Sequence, residues 1–353
     1  MEKKPKWMEL PRCVVIGHGV LSEVSNVCRT LKLVGHAAVI VDGITVRIAG
    51  KKVADILRDG GYGVSIIKTE SITGSEIKRA AKNAGRVRSN FVLGVGGGRV
   101  IDMAKVVSTR LQIPFLSVPT AASHDGIVSP RASVNRSGRS VSVTAQSPLG
   151  IIADTKIIAS APPRMMLAGC GDLISNYTAV LDWQLANKVR GEEYSEYAAA
   201  LSEMSAKIIM DKADALKPAQ EESVRVVLKA LVSSGVAMSI AGSSRPASGS
   251  EHKFSHALDR IAKKPALHGE QCAVGTIMMM YLHGGDWRHI KNSLEKMGAP
   301  ATARELGISD EETIKALVNA RRIRPERYTI LEHVRLGKSA AEEVAVATGV
   351  IEG

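Results

Sequence analysis

The sequence predicts an α/β domain built on a parallel sheet, followed by an all-helical domain. Three observations predict it. From residue 13 to residue 120, short β-branched runs alternate with helical stretches, and near-continuous apolar strands in that alternation mark a parallel sheet covered on both faces. Pro162-Pro163 then punctuates the chain. Beyond it helical periodicity dominates and strand-like runs are few. At 353 residues the chain is long enough for two domains, expected at 1–161 and 162–353.

The predicted strands, in order, are 13–17, 37–42, 63–68, 90–95 and 114–118, each a short β-branched run bounded by turn residues. Helical patterns at 46–59, 74–83 and 100–110 lie between them. Residues 132–143 alternate about Arg136-Ser-Gly-Arg139, which reads as an antiparallel hairpin. Residues 150–154 and 156–159 form a last strand region. Helices are then expected at 165–188, 193–211, 221–241, 270–283 and 310–320, with Met278-Met-Met280 as core.

In a parallel sheet of this kind ligands bind beyond the carboxyl ends of the strands, so the strand ends carry the information. The first turn, Gly17-His-Gly-Val20, lacks the third glycine of G-x-G-x-x-G, so the usual dinucleotide fingerprint is absent. Instead Gly94-Val-Gly-Gly-Gly98-Arg-Val-Ile-Asp102 closes the fourth strand and opens a helix. Consecutive glycines let backbone N–H groups approach a diphosphate, and a helix N-terminus favours the anion. A glycine-rich turn needs no ligand, but three in a row exceed what a turn requires. Asp42 ends the second strand, where a carboxylate can accept from a ribose hydroxyl; a solvated loop aspartate is the plain alternative. The fifth strand runs into Pro119-Thr-Ala-Ala-Ser-His-Asp-Gly-Ile-Val-Ser-Pro130, small and polar enough to line a cleft.

In the second half, Ser248-Gly-Ser-Glu-His-Lys-Phe-Ser-His256 places His252 and His256 four apart, on one face of a helix, with Ser250 as candidate N-cap. His268 begins the next helix after the break at Lys263-Lys-Pro265. Three imidazoles can thus approach from two helix starts. Two of them with a carboxylate would make an open metal site with a position left for substrate. Asp172, after glycines in an apolar run, would cost several kcal/mol if buried unpaired, and a shared cation would satisfy it. A helix N-terminal carboxylate is the alternative, and Asp182 and Glu251 compete for the acidic role on spacing alone.

The four cysteines show no C-x-x-C pair, so buried thiols in a reducing compartment are expected, Cys170 and Cys272 among them as core. The net charge of +12 is spread thinly and aromatics are only 3%, which disfavours a nucleic-acid surface and suits an anionic small substrate. No apolar run approaches a membrane span, and the charged start is not followed by a signal-peptide core, so a cytoplasmic protein is expected.

Taken together, Gly-Gly-Gly-x-x-x-Asp at 96–102, Pro-Thr-x-x-Ser at 119–123, Gly-Asp-Leu-x-Ser-Asn-Tyr at 171–177, Glu-His-x-x-x-His at 251–256 and His-Gly-Glu at 268–270 resemble the superfamily of glycerol dehydrogenases, iron-containing alcohol dehydrogenases and dehydroquinate synthases. Within it, Gly-Gly-Gly-Arg-Val-Ile-Asp followed by Ser-Val-Pro-Thr-Ala-Ala-Ser-His-Asp-Gly is most similar to the archaeal sn-glycerol-1-phosphate dehydrogenase family. The resemblance implies an N-terminal nucleotide domain, a C-terminal helical domain and an active site between them. It implies zinc held by Asp172, His252 and His268. It places NAD or NADP over Gly98, Arg99, Val100, Ile101 and Asp102, with further contacts from Thr120, Ala121, Ala122, Ser123 and Ser129. Asp125, Asp172 and His256 become the catalytic, substrate-contacting residues. The implied reaction is reduction of dihydroxyacetone phosphate to sn-glycerol 1-phosphate, the backbone of archaeal ether lipids, by a homo-oligomer. Arg99 stands where the superfamily usually has serine, and its guanidinium could reach a cofactor phosphate. A glycerol dehydrogenase or a dehydroquinate synthase-like enzyme is the alternative on the same scaffold.

Overall fold

The computed structural model describes residues 8–136 and 139–353. The charged start of the chain and Ser137-Gly138 of the expected hairpin turn lie outside the described residues. The chain divides into two compact units, residues 1–165 with 218–242, and residues 166–217 with 243–353.

The first unit holds a six-stranded parallel sheet in the order β1-β8-β5-β4-β2-β3. Its strands are β1 (Cys13–Gly17), β2 (His36–Val41), β3 (Gly63–Lys68), β4 (Phe91–Gly96), β5 (Phe115–Pro119) and β8 (Gly150–Asp154). Between the last two lies an antiparallel hairpin of β6 (Arg131–Arg136) and β7 (Arg139–Thr144). Val39 pairs with Leu93, Gly94 with Ser117, and Ile16 with Ala153. The central strands carry Val39, Phe91, Leu93, Leu116 and Ile152 fully into the core, the continuous burial that marked them in the sequence. The chain runs outward from β2 to β3, then returns to the other side of β2 with β4. The topological switch point therefore lies between β2 and β4, where Asp42 and the glycines end their strands.

Five helices matter below: α1 (Gly98–Leu111), α2 (Pro163–Arg190), α3 (Glu221–Ala241), α4 (Ser250–Ile261) and α5 (His268–Leu282). Two expectations need correction here. Residues 156–159 are not strand: the Asp154 side chain accepts from Lys156 N at 3.1 Å and starts a short helix, Thr155–Ala159. Helix α3 packs with the sheet unit rather than with the later helices. Its Glu221 accepts from Thr155 Oγ1, its Ser234 Oγ lies 2.8 Å from Asp125 Oδ2, and Gly235 lies against Val128. It is also the one helix among the described residues long and apolar enough to cross a membrane, with a mean hydropathy of 1.6. Its apolar residues Val224, Val227, Leu228 and Leu231 are buried in the fold.

The second unit is helical. Helix α5 packs closely on α4, and α4 on the helix Asp310–Ala320. Met278, Met279 and Met280 are buried, as a core run should be.

Candidate functional site

The sheet unit presents a glycine cradle at the switch point. Gly97 caps α1 with extended backbone, and its carbonyl accepts from Val100 N and Ile101 N at 2.9 and 3.1 Å. The N–H groups of Gly98 and Arg99 are then the ones at the helix start that can turn to an anion. The three glycines differ in purpose. A Cβ on Gly96 would meet Val100, and one on Gly98 would sit 1.8 Å from His124 Nε2, whereas one on Gly97 would meet nothing within 4 Å. Packing explains two of the glycines, and the open space lies at the third. An open glycine at a helix start is the arrangement that lets backbone N–H groups approach an anion such as a diphosphate.

Around the cradle, Val100 and Ile101 point into the core, so only their backbone faces the turn. Asp102 is buried, with Oδ1 near Lys105 Nζ at 3.3 Å and Oδ2 accepting from Ser133 N at 2.8 Å, so it ties the hairpin to α1. Burial lowers the pKa of Lys105, against the opposing pull of Asp102. Thr120 N donates to Gly96 O at 3.0 Å, which holds the segment 120–123 beside the cradle. Ala121, Ala122 and Ser129 are buried there and Ser123 is half-buried. Asp125 opens a short turn, Asp125–Ile127, and accepts from Ser234.

Asp42 is more than a solvated loop residue. Its Oδ1 accepts from Ile44 N and Thr45 N at 2.9 and 2.8 Å, which holds its carboxyl below the ordinary range against the opposing effect of burial. Its Oδ2 faces Arg99 at 3.4 Å. The two residues singled out for cofactor choice thus meet each other.

The helical unit gathers the second cluster. Asp172, His252, His268 and Cys272 each offer a ligand atom, all within 4.8 Å of one another. Asp172 is the tenth residue of α2 and only 4% exposed, far from the helix start, so the dipole cannot account for it. Its Oδ1 lies 3.7 Å from His252 Nε2 and 3.8 Å from His268 Nε2. Close backbone contact allows this. A Cβ on Gly171 would sit 2.4 Å from the Gly269 carbonyl oxygen, and one on Gly269 only 1.9 Å from that of Ala168. Glycine at both positions lets α2 and α5 touch backbone to backbone, carrying Asp172 and His268 together.

The other ring nitrogens are spoken for. His252 Nδ1 lies 2.9 Å from Glu251 Oε1, and His268 Nδ1 lies 3.0 Å from Ser255 Oγ. Both Nε2 atoms are thereby aimed at Asp172. Burial, then the neighbouring His268 and His256, holds His252 well below the ordinary histidine range. Burial likewise lowers His256, partly offset by Asp259 at 3.4 Å. Neutral imidazoles are the form that binds a metal. Burial, with the charge of Asp172 second, pushes the Cys272 thiol well up.

The competing acids are consumed elsewhere. Asp182 is fully buried and accepts from Ser250 N, Ser250 Oγ, Ile330 N and His283 Nε2. Ser250 is therefore not the N-cap expected of it; Gly249 holds that place, and the Ser250 hydroxyl donates to Asp182. Glu251 accepts from Gly249 N, Thr178 Oγ1 and His252. His256 stacks on His268 with ring centroids 5.6 Å apart but is not among the four donors. Cys272 is fully buried, as expected of a core thiol, yet its sulfur lies beside the cluster. It stands four after His268, the spacing that drew attention to His252 and His256, but an apolar context made it read as core.

The donor set is two imidazole nitrogens, a carboxylate oxygen and a thiol, all compatible with a divalent transition metal, zinc included.

Comparison with known proteins places the chain. Residues 15–162 match the family model described as iron-containing alcohol dehydrogenase. The chain is 60% identical to glycerol-1-phosphate dehydrogenase, NAD(P)+, of Methanosarcina barkeri, over 98% of this chain and 97% of that one. It is 52% identical to the protein of that name from Methanothermobacter thermautotrophicus, over 98% and 99%. The fold is similar to the crystal structure of glycerol dehydrogenase from Schizosaccharomyces pombe, with a TM-score of 0.79 at 20% identity, covering 98% of this chain and 91% of that one. The chain belongs to the glycerol-1-phosphate dehydrogenase family, within the iron-containing alcohol dehydrogenases.

Proposed function

We propose that the chain interconverts dihydroxyacetone phosphate and sn-glycerol 1-phosphate, using NAD(H) or NADP(H) and a zinc ion. The observation that carries this reading is the convergence of Asp172, His252 and His268 on one point in a chain of this family. When bound, zinc supplies Lewis acidity toward a substrate oxygen, and the nicotinamide supplies or takes up the hydride at carbon 2.

The chain's own residues do the rest. Asp172, His252 and His268 hold the ion, and Glu251 and Ser255 fix the two rings. His256, stacked on His268 and held by Asp259, hydrogen-bonds the substrate or passes a proton through water. Asp125 serves as a substrate contact. The cradle at Gly97 to Asp102, with Thr120, Ala121, Ala122, Ser123 and Ser129, receives the cofactor diphosphate. The sheet unit is thus the nucleotide-binding domain and the helical unit the metal- and substrate-binding domain.

The Asp42–Arg99 pair supports use of both cofactors. With NAD, Asp42 Oδ2 can accept from the ribose. With NADP, the largely exposed Arg99 can turn from Asp42 to the 2′-phosphate. A role in ether-lipid synthesis follows from the resemblance to the archaeal enzymes, the basic charge suits a phosphorylated substrate, and the expected form is a cytoplasmic homo-oligomer.

The test is an assay of NADH and NADPH oxidation with dihydroxyacetone phosphate and with dihydroxyacetone, and of the reverse reaction with glycerol, followed by chiral analysis of the product. Turnover of the phosphorylated ketone to the sn-1 isomer is expected. Activity on glycerol and dihydroxyacetone alone would favour the glycerol dehydrogenase alternative. Phosphate release without net cofactor change would favour a dehydroquinate synthase-like lyase.

A further inference from the structure

The helical unit carries a basic cavity of about 540 Å³, walled by Arg190, Arg321, Arg322, Arg335, Tyr328 and Glu332 among others. None of these residues belongs to the candidate metal cluster. The volume falls within the range of small-molecule sites, about 300–1,000 Å³. Helix ends put the guanidiniums there. Arg190 is the last residue of α2. Arg321 caps the C-terminus of helix Asp310–Ala320, with Arg322 beside it, and Arg335 caps that of helix Ile330–Val334. The dipole favours a cation at each of these ends, but it does not balance the charge. A helix C-terminus is worth at most about half a negative charge, so three ends leave about two and a half positive charges in surplus.

The nearby acids do not cancel that surplus. Glu332 accepts from Lys253 Nζ at 2.7 Å and from Thr329 N at 2.9 Å, and Glu192 pairs with the buried Arg245. Among the described residues, none of the four arginines of the wall enters an ion pair. Buried cations also hold the wall in shape. Arg245 donates to Tyr328 O at 2.9 Å and Lys253 to Arg327 O at 2.9 Å. The Arg190 guanidinium carbon lies 4.6 Å from the centroid of the Tyr328 ring, which fixes it over the aromatic face. A cavity held in this way loses little freedom when it binds.

We propose that this cavity binds a small molecule bearing a diphosphate, either free or carried on a small organic group. Guanidinium forks pair with phosphoryl oxygens two at a time, and a compact polyanion matches the surplus charge. The site needs neither the ion nor the reaction proposed above, and it is separate from the glycine cradle, which belongs to the sheet unit.

The test is calorimetric titration of the full chain with inorganic pyrophosphate. NADPH is held at saturation to fill the cradle, and salt at about 0.15 M to screen loose surface pairing. One pyrophosphate per chain is expected. Methyl diphosphate in its place separates the two sources: tighter binding assigns the carried group, weaker binding the free anion, and either supports the site. Arg321→Ala and Arg335→Ala should each weaken binding about tenfold or more. Arg335→Lys, which keeps the charge but loses the fork, should weaken it less than alanine. Arg86→Ala, at an exposed position of the sheet unit, should bind as the unaltered chain does. No heat in the unaltered chain, full binding in both alanine variants, or an equal loss in Arg86→Ala would each overturn the site.

Discussion

Glu251 lies against the candidate metal cluster without joining it. Its carboxylate spans Gly249 N, Thr178 Oγ1 and His252 Nδ1, so it fixes the ring that faces Asp172. Burial, then the charge of Asp182, raises its pKa to about 7. Glu251→Ala should weaken zinc binding about 10–100-fold, measured by competition with a chromogenic chelator, and Glu251→Gln, which still accepts from Nδ1–H, should lose less. Arg99 tests the cofactor reading in the same way. Arg99→Ala should raise KM for NADPH by about tenfold, the worth of one hydrogen bond to a charged group, and leave KM for NADH nearly unchanged. An equal change for both cofactors would remove Arg99 from the choice. Spacing alone ranked Asp182 and Glu251 beside Asp172, because what separates three acids on neighbouring helices is which donors consume their oxygens. That is a matter of tertiary contact, invisible in the order of residues. His252 and His256 were legible by the i, i+4 rule and His268 by the helix break before it, whereas the nearness of the Cys272 sulfur to them depends on how α5 packs on α4.

Pairs of elements set the geometry within which those residues act. The crossing of α2 and α5 at Gly171 and Gly269 leaves no room for a Cβ on either glycine, and the Gly-Asp and His-Gly motifs in the sequence mark it. Gly171→Ala would place a methyl 2.4 Å from a backbone oxygen, which a helix cannot move without its partner. The substitution should cost about 1–3 kcal/mol by overpacking, read from the denaturant midpoint, and should lower zinc stoichiometry by separating Asp172 from His268. Gly97→Ala should behave oppositely. Its φ of −75° suits any residue and a methyl there meets nothing within 4 Å, so stability should hold while KM for the cofactor rises. A loss of stability with unchanged cofactor binding would remove Gly97 from the cradle. Most elements could be read from the sequence because period and turn chemistry agreed, as at Gly63–Lys68, Glu221–Ala241 and Asp310–Ala320. Residues 156–159 could not, since Ile157 and Ile158 favour a strand and only the Asp154 cap reverses that preference.

At the scale of the whole molecule, the chain leaves the sheet unit near residue 165, returns for 218–242 and leaves again. An apolar stripe on α3 announces a buried helix but not which core buries it, so the sequence placed it with its neighbours in order. The division has a measurable consequence. The three candidate ligands Asp172, His252 and His268 sit on α2, α4 and α5, all but the first turn of α2 lying in the helical unit. A ligand that binds the folded state alone stabilises it by about 2.7 kcal/mol at a hundred times its Kd. Removing zinc should therefore loosen those three helices and spare the sheet, because nothing in β2, β4 or β5 belongs to the cluster. Hydrogen exchange of the full chain, with zinc and then with chelator, checks this directly. Amides of Gly169–Tyr177, of α4 and of α5 should exchange faster without the ion and recover when zinc is restored, while Phe91–Gly96 and Phe115–Pro119 stay unchanged. Activity with dihydroxyacetone phosphate should vanish and return over the same titration. Equal loss of protection in sheet and helices would mean that the ion acts on the fold as a whole. No loss anywhere would mean that Asp172, His252 and His268 hold no ion, and the catalytic reading would fall with them.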